Sequence, residues 1–192
     1  MPAPTDHDAR RRDVSEAVWQ VLARAGFGGL TLRAVAAEMG ASTGLLTHYF
    51  PSKDALIRHA LEVAEERTAV RARHGGGLRG ALLDVLPLDA ASTTMNRVWV
   101  SSWDAALGDA DLGRAERARY KRWRARLRPL VEAAQQRGEL PGGEPDDLVA
   151  TVAAFTHGLV VQALFDPRTF PRARQVALLD TFLKGLKPAP LA

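Results

Sequence analysis

Between Ser42 and Lys53 the chain gathers side chains suited to holding phosphates and base edges rather than to breaking bonds. The hydroxyls of Thr43 and Thr47 can donate to phosphates or bases, Leu45 can touch a thymine methyl, and Gly44 allows close approach to a groove. His48 belongs to the same outer set. Lys53 stands at a helix start, where free amides and a positive end suit a phosphate. Such contacts position a protein on DNA without specifying sequence. Covalent chemistry has little to work with. There is no cysteine, and the five histidines, at 7, 48, 59, 74 and 157, are scattered without metal-ligand spacing. No G-x-S-x-G occurs, and Gly75-Gly76-Gly77 lacks the Lys-Ser/Thr of a phosphate-binding loop, so it reads as a joint. No catalytic residue, metal or cofactor is expected.

Helices must carry these groups, because Ala, Leu, Arg and Glu dominate and strand alternation is scarce. After a loose tail over 1–9, a helix is expected from Arg10 to Ala25, with Val14, Ala17, Val18, Val21 and Leu22 on one face. Gly26 stops it and Phe27 folds back as a plug. Thr31 caps a short helix, Leu32 to Met39, which Gly40 ends. Ser42 caps a third, ending at Tyr49, and Ser52 opens a fourth towards Arg73. Two short helices joined by Gly40-Ala41 have the layout of a helix-turn-helix, though ordinary helical proteins also join short helices through glycine. The expected small core is Val18, Leu22, Phe27, Leu32, Val35, Ala36, Leu46 and Phe50. Charge adds little to the argument: residues 1–60 hold 7 Lys and Arg against 6 Asp and Glu. Further helices are expected at 78–86, 90–107, 111–137, 146–164 and 172–186, with a fraying tail from Pro188.

The stretches Leu30-Thr31-Leu32-Arg33-Ala34-Val35-Ala36-Ala37-Glu38-Met39-Gly40, Ala41-Ser42-Thr43-Gly44-Leu45-Leu46-Thr47-His48-Tyr49-Phe50 and Pro51-Ser52-Lys53-Asp54-Ala55-Leu56 resemble the head of the TetR family of bacterial regulators. The likeness covers roughly residues 10–57. It implies an all-α dimer whose helix-turn-helix holds operator DNA and whose remainder holds an inducer. Carried over, DNA contact falls on Thr31, Ser42, Thr43, Gly44, Thr47, His48 and Lys53, and Arg33, Leu45 and Tyr49 complete the expected contact set. Thr47 departs from the family, many members of which have Tyr there; it reaches less far, so its contact could shift to His48 or Tyr49. The run from Ser42 to Phe50 looks closest to the choline-responsive BetI-like branch. Trp99, Trp103, Tyr120-Lys121-Arg122-Trp123, Gly138-Glu139-Leu140, His157-Gly158-Leu159 and Gln162 to Pro167 resemble the C-terminal domain of that branch more loosely.

The implied organisation is a helix-turn-helix domain over 10–55 and a helical ligand-binding and dimerisation domain over 56–187. Candidate ligand residues are Trp99, Trp103, Asp104, Tyr120, Trp123, Phe155, His157 and Gln162, since aromatic faces can hold an apolar or cationic molecule. The same stripes also fit plain core. A quaternary amine would require several of the aromatics to converge beside an acid such as Asp104 or Glu116. Residues 114–128 hold 8 Lys and Arg against one acid, Glu116. They read as a solvated face with Arg stems over apolar surface, or as a second nucleic-acid surface.

Dimerisation doubles the base contacts of one short reading helix. Leu148, Val152, Phe155 and Leu159, with Val176, Leu179, Phe182 and Leu183, are the candidate interface on the last two helices, which also bury against their own domain. The expected partners are double-stranded operator DNA, a small-molecule inducer and a second copy. Inducer binding would favour a spacing of the two heads that mismatches the operator, the fourth helix transmitting the change. A helical protein-binding adaptor and an activator of the same fold are the rival readings. Hydrophobic residues make 46% of the 192-residue chain and the net charge is +4, ordinary for a globular protein. Met1 to Arg12 are polar and no run reaches the apolar length of a bilayer span, so a cytoplasmic protein without a membrane partner is expected.

Overall fold

The computed structural model describes residues 6–71 and 77–186, and these are all-α. The helices are α1 (Asp6–Ala25), α2 (Leu32–Glu38), α3 (Thr43–Tyr49), α4 (Lys53–Arg71), α5 (Gly77–Leu83), α6 (Ala90–Gly108), α7 (Ala110–Gln136), α8 (Pro145–Phe165) and α9 (Arg172–Gly185). A 3-10 turn, Phe27–Gly29, follows α1. Residues 6–9, expected as tail, are the first turn of α1. The joint at 74–76 and the tail from Pro188 lie outside the described residues.

Packing divides the chain into two compact units, Met1–Arg71 with Arg97–Leu112, and Ala72–Asn96 with Gly113–Ala192. In the first, Val14, Ala17, Val18, Val21 and Leu22 of α1 are all at most 5% exposed. Their i, i+3, i+4 spacing makes one apolar face, as the sequence requires. Around it close Phe27, Val35, Ala36, Leu46 and Phe50. Leu32 is only half-buried; its neighbour Leu30 takes the core position. Leu56, Ala60, Val63 and Ala64 of α4 are buried too.

The breaks between these helices follow local chemistry. Gly40 has φ 62°, and behind it the Ala41 amide donates to Ala36 O at 2.9 Å while the Gly40 amide donates to Ala37 O at 3.2 Å. That pair of bonds satisfies the last carbonyls of α2 and needs a left-handed residue, which glycine supplies without a β-carbon clash. Glutamate and arginine then tie helix to helix: Arg24 of α1 pairs with Glu38 of α2 at 2.9 Å, and Arg67 of α4 reaches back to Glu16 of α1 while lying 4.7 Å over the Trp19 ring. Glu16 has its acidity strengthened by the hydrogen bond from Gln20 and by Arg67, against the opposing effect of burial.

The second unit is built on Leu78, Leu82, Leu86, Leu127, Val131, Val149, Val152, Leu159, Val160 and Leu179. Its α8 corrects the expectation about apolar length. Pro145–Phe165 is 21 residues long with a mean hydropathy of 1.8, and among the described helices it alone is long and apolar enough to cross a membrane. The fold accounts for part of that composition: Val149, Val152, Ala153, Thr156, Leu159, Val160 and Ala163 of this helix are buried in the unit, 39% of its apolar window. A helix apolar on more than one face is what a core position demands.

Candidate nucleic-acid interface and aromatic clusters

The seven-residue helix α3 is too short to persist alone in water. It is held by Leu46, which is fully buried, and by Phe50 just past its end. With Leu46 inward, the side chains of Thr43, Thr47 and His48 and the bare Gly44 are exposed, while Leu45 and Tyr49 are half-buried. Ser42 and Lys53 are exposed as well, and so is Thr31, with Arg33 beside it in the same row of surface positions. The head thus brings all ten expected DNA-contacting residues at least partly to the surface. The His48 ring meets Tyr49 edge-on at 6.0 Å.

Three hydroxyls at helix starts share one geometry. Thr31 Oγ1 accepts the Ala34 amide at 3.0 Å, Ser42 Oγ accepts the Leu45 amide at 3.4 Å, and Ser52 Oγ accepts the Ala55 amide at 3.1 Å. Each oxygen is used as an acceptor by its helix, so its own proton remains available for an external oxygen. Thr47 is the reverse: its hydroxyl donates to Gly44 O at 2.9 Å. That proton is spent inside the helix, and Thr47 presents acceptor lone pairs outward. A β-carbon at Gly44 would meet nothing closer than Ser42 Oγ at 3.9 Å. Nothing in the described fold requires glycine there. Ser52, exposed beside Lys53, is a hydroxyl that the sequence marks only as a cap.

The candidate ligand residues fall into both units. Trp99, Trp103 and Asp104 belong to the first. Trp99 is 7% exposed and its Nε1 donates to Thr68 Oγ1 at 3.1 Å, which ties α6 to α4. Trp103 Nε1 is buried with no hydrogen-bond partner among the described residues. Asp104 is exposed, so it does not supply a buried counter-charge.

Tyr120, Trp123, Phe155, His157 and Gln162 belong to the second unit. Here three rings converge: His157 meets Trp123 edge-on at 4.7 Å and Tyr120 edge-on at 5.2 Å. Arg119 lays its guanidinium 4.4 Å over the Tyr120 ring and pairs at 2.8 Å with Glu116, itself 7% exposed. Burial above all, with the Arg119 charge second, pushes the His157 pKa down to about 4, against the pull of a backbone hydrogen bond at Ala153. The imidazole is therefore neutral at pH 7. Gln162 is exposed and stands outside this group. Phe155 stacks instead on Phe182, 3.9 Å between centroids and 3° from parallel. Of the expected interface residues, Val152, Leu159 and Leu179 are consumed by the unit's own core, whereas Leu148, Phe155, Val176, Phe182 and Leu183 are half-buried. Phe165, which sequence reasoning misses, is 80% exposed at the end of α8. Among the described residues no group of three or more His, Asp or Glu is placed to hold a metal.

Two family models match successive parts of the chain. Residues 16–60 match the family model for bacterial regulatory proteins of the tetR family, and residues 76–188, more than half the chain, match that for the C-terminal part of BetI-type transcriptional repressors. The HTH-type transcriptional regulator PksA of Bacillus subtilis is 26% identical over 176 residues, covering 87% of this chain and 84% of the relative. The regulator BetI of Burkholderia ambifaria is 27% identical over 168 residues, covering 83% of this chain and 84% of its own length. Two solved structures share the fold, each with a TM-score of 0.79: a transcriptional regulator from Rhodococcus sp. Rha1, 24% identical and covering 91% of this chain and 94% of its own; and one from Saccharomonospora viridis in complex with choline, 22% identical and covering 92% and 96%.

Proposed function

This chain belongs to the TetR family of transcriptional regulators, in its BetI-type branch, and from that premise we propose that it is a homodimeric repressor that grips a palindromic operator and releases it to a small-molecule inducer. The observation that carries the reading is the exposed face of α3, set on Leu46 and opened by a Ser42 cap whose oxygen accepts from its own helix and leaves the hydroxyl proton for an outside partner. Thr43, Leu45 and His48 read base edges in the major groove, which the bare Gly44 lets the helix approach closely. Thr31, Arg33, Ser42, Tyr49 and Lys53 hold the backbone, whereas Thr47, its proton bonded to Gly44 O, offers only an acceptor oxygen, suited to a base amino group rather than a phosphate. A near-balanced head makes non-specific attraction modest and leaves amides and hydroxyls to supply much of the grip.

The inducer site is drawn from the ring cluster of Tyr120, Trp123 and His157 with Glu116 behind Arg119. Choline, held by one protein of the same fold, is the first compound to try. Whatever the inducer, it can shift the balance only by binding the DNA-free state more tightly than the DNA-bound one. The exposed Phe165 and the half-buried Leu148, Phe155, Val176, Phe182 and Leu183 support a dimer through α8 and α9.

The test is anisotropy with the DNA upstream of the protein's own gene, at about 0.15 M salt and with excess unrelated duplex. Saturable binding of one dimer to a short palindrome, surviving competitor, is the expected result. Equal affinity for every duplex would reject operator recognition by this head.

A further inference from the structure

We propose that the solvent face of α7 is a second, sequence-independent contact for double-stranded DNA, made by Arg117, Lys121 and Arg124 with Arg114 at its upper end. The proposal takes its partner from the DNA-binding reading above but uses none of the residues of the head.

On a helix of 3.6 residues per turn, positions 114, 117, 121 and 124 fall within about 80° of arc and along about 15 Å of axis. All four side chains are exposed. Arg117, Lys121 and Arg124 have no ion-pair or hydrogen-bond partner among the described residues. Three other surface arginines of the same unit find acids, Arg79 with Asp180 at 2.6 Å, Arg128 with Asp146 at 2.6 Å and Arg137 with Glu139 at 2.7 Å. Arg126, Arg168 and Arg172 are also exposed without an acid partner among the described residues, but they do not line up with the stripe. Between Gly113 and Pro129 the one acid is Glu116, which is buried and turned to Arg119. The stripe is thus a run of like charges at i, i+3 and i+4 spacing. Such pairs repel and weaken a helix in isolation. An external polyanion removes the repulsion.

The dimensions favour duplex DNA. A face about 15 Å long spans about four phosphates of one strand, at roughly 3.4 Å of duplex axis each. Four cations are presented to them, beside the small side chains of Ala118 and Ala125, both exposed, which keep the approach open. A membrane surface is disfavoured because this face carries no aromatic or large aliphatic group to enter the headgroup layer. A regulator already resident on DNA meets neighbouring phosphates at high local concentration, so even a weak stripe takes effect.

The experiment compares the intact chain with the triple variant R117Q/K121Q/R124Q and with a charge-matched control, R126Q/R168Q/R172Q, which removes three other exposed arginines of the same unit. Each is titrated into a labelled duplex of arbitrary sequence, about 40 base pairs long, from about 50 to 200 mM salt. The expected result is a salt slope shallower by about 0.9 for each phosphate no longer held, and an affinity at least about tenfold lower near 0.1 M salt, in the stripe variant alone. Helix content and melting temperature stay as in the intact chain, and the ratio of operator to arbitrary-duplex affinity, which belongs to the head, is retained. Equal losses in both triple variants would reduce the effect to net charge and overturn the proposal. So would an unchanged slope, including the case where the stripe variant instead loses binding to anionic phosphatidylserine vesicles or to an acidic protein. Absence of any operator preference in the intact chain would strike the repressor reading and leave the slope comparison readable.

Discussion

Gly26 turns its bare α-carbon to Ser101: a β-carbon at position 26 would lie 2.9 Å from both Cβ and Oγ of that serine. The same Ser101 Oγ accepts the Phe27 amide at 3.1 Å and donates to Val98 O at 2.7 Å. The turn that ends α1 is therefore fixed by a residue 75 positions away in sequence as well as by its own φ of 61°. Gly26→Ala meets both obstacles, a left-handed backbone and an occupied space. It is expected to destabilise the fold by roughly 2–3 kcal/mol in urea unfolding, and operator affinity should fall because Phe27 is part of the core under α2 and α3. Wild-type stability in the variant would mean that the serine moves aside freely.

Capping and reading can be separated by two threonines. Thr31 holds the Ala34 amide, whereas Thr43 is exposed on the first turn of α3. Thr31→Ala should cost about 1 kcal/mol of stability. Thr43→Ala should change stability by less than about 0.5 kcal/mol, yet weaken operator binding roughly tenfold when one hydrogen bond per subunit is removed. Thermal melts and anisotropy on the same preparations check both. Unchanged operator affinity in Thr43→Ala would remove Thr43 from the reading face.

The head is legible in the sequence because its signals are local. Thr31, Ser42 and Ser52 cap within three residues, and Gly40 ends α2 by its own backbone. The periodic face of α1 follows from composition alone. What escapes such reasoning is non-local: nothing around Gly26 announces Ser101, and nothing around Trp99 announces Thr68, 31 residues earlier. Tyr120 and Trp123 are legible as one helix face, but their convergence on His157 depends on how α7 and α8 pack. The apolar content of α8 likewise divides between core and remaining surface only once the unit is assembled, which is why Val152 and Leu159 read as interface and are buried. Asp104 and Gln162, polar residues among apolar ones, are exposed.

Phe165 offers a cleaner probe of self-association than the stacked Phe155 and Phe182, which also hold their own unit together. At 80% exposure it contributes little to the folded monomer. Phe165→Ser should alter monomer stability by less than about 0.5 kcal/mol, while raising the dimer dissociation constant at least about tenfold, as removal of an aromatic anchor does at an interface. Sedimentation velocity across a dilution series reads the difference. An unchanged dissociation constant would move the interface away from the end of α8.

His157 makes stability depend on pH in a direction that can be stated in advance. Its pKa is about 4 in the fold and close to 6.5 when the chain is unfolded. Between those values the unfolded chain binds the extra proton, so stability rises with pH. The contribution of the neutral imidazole is complete above pH 6.5 and is lost as pH falls towards 4. Its size is on the order of 3 kcal/mol, since each tenfold change in proton affinity is worth about 1.36 kcal/mol. Carboxylates such as Asp180, held acidic by Arg79, lose their share at lower pH, below their unfolded value near 3.8. The two effects are separated by comparing the chain with His157→Gln across pH 4 to 7 in urea: the intact protein should lose stability over the His157 window and the variant should stay nearly flat there. A flat intact profile would mean that His157 takes up its proton in the fold, with the Tyr120 and Trp123 rings around a cation. The same cluster would then resemble a site already filled by an imidazolium, and a cationic inducer would have to displace that charge to enter.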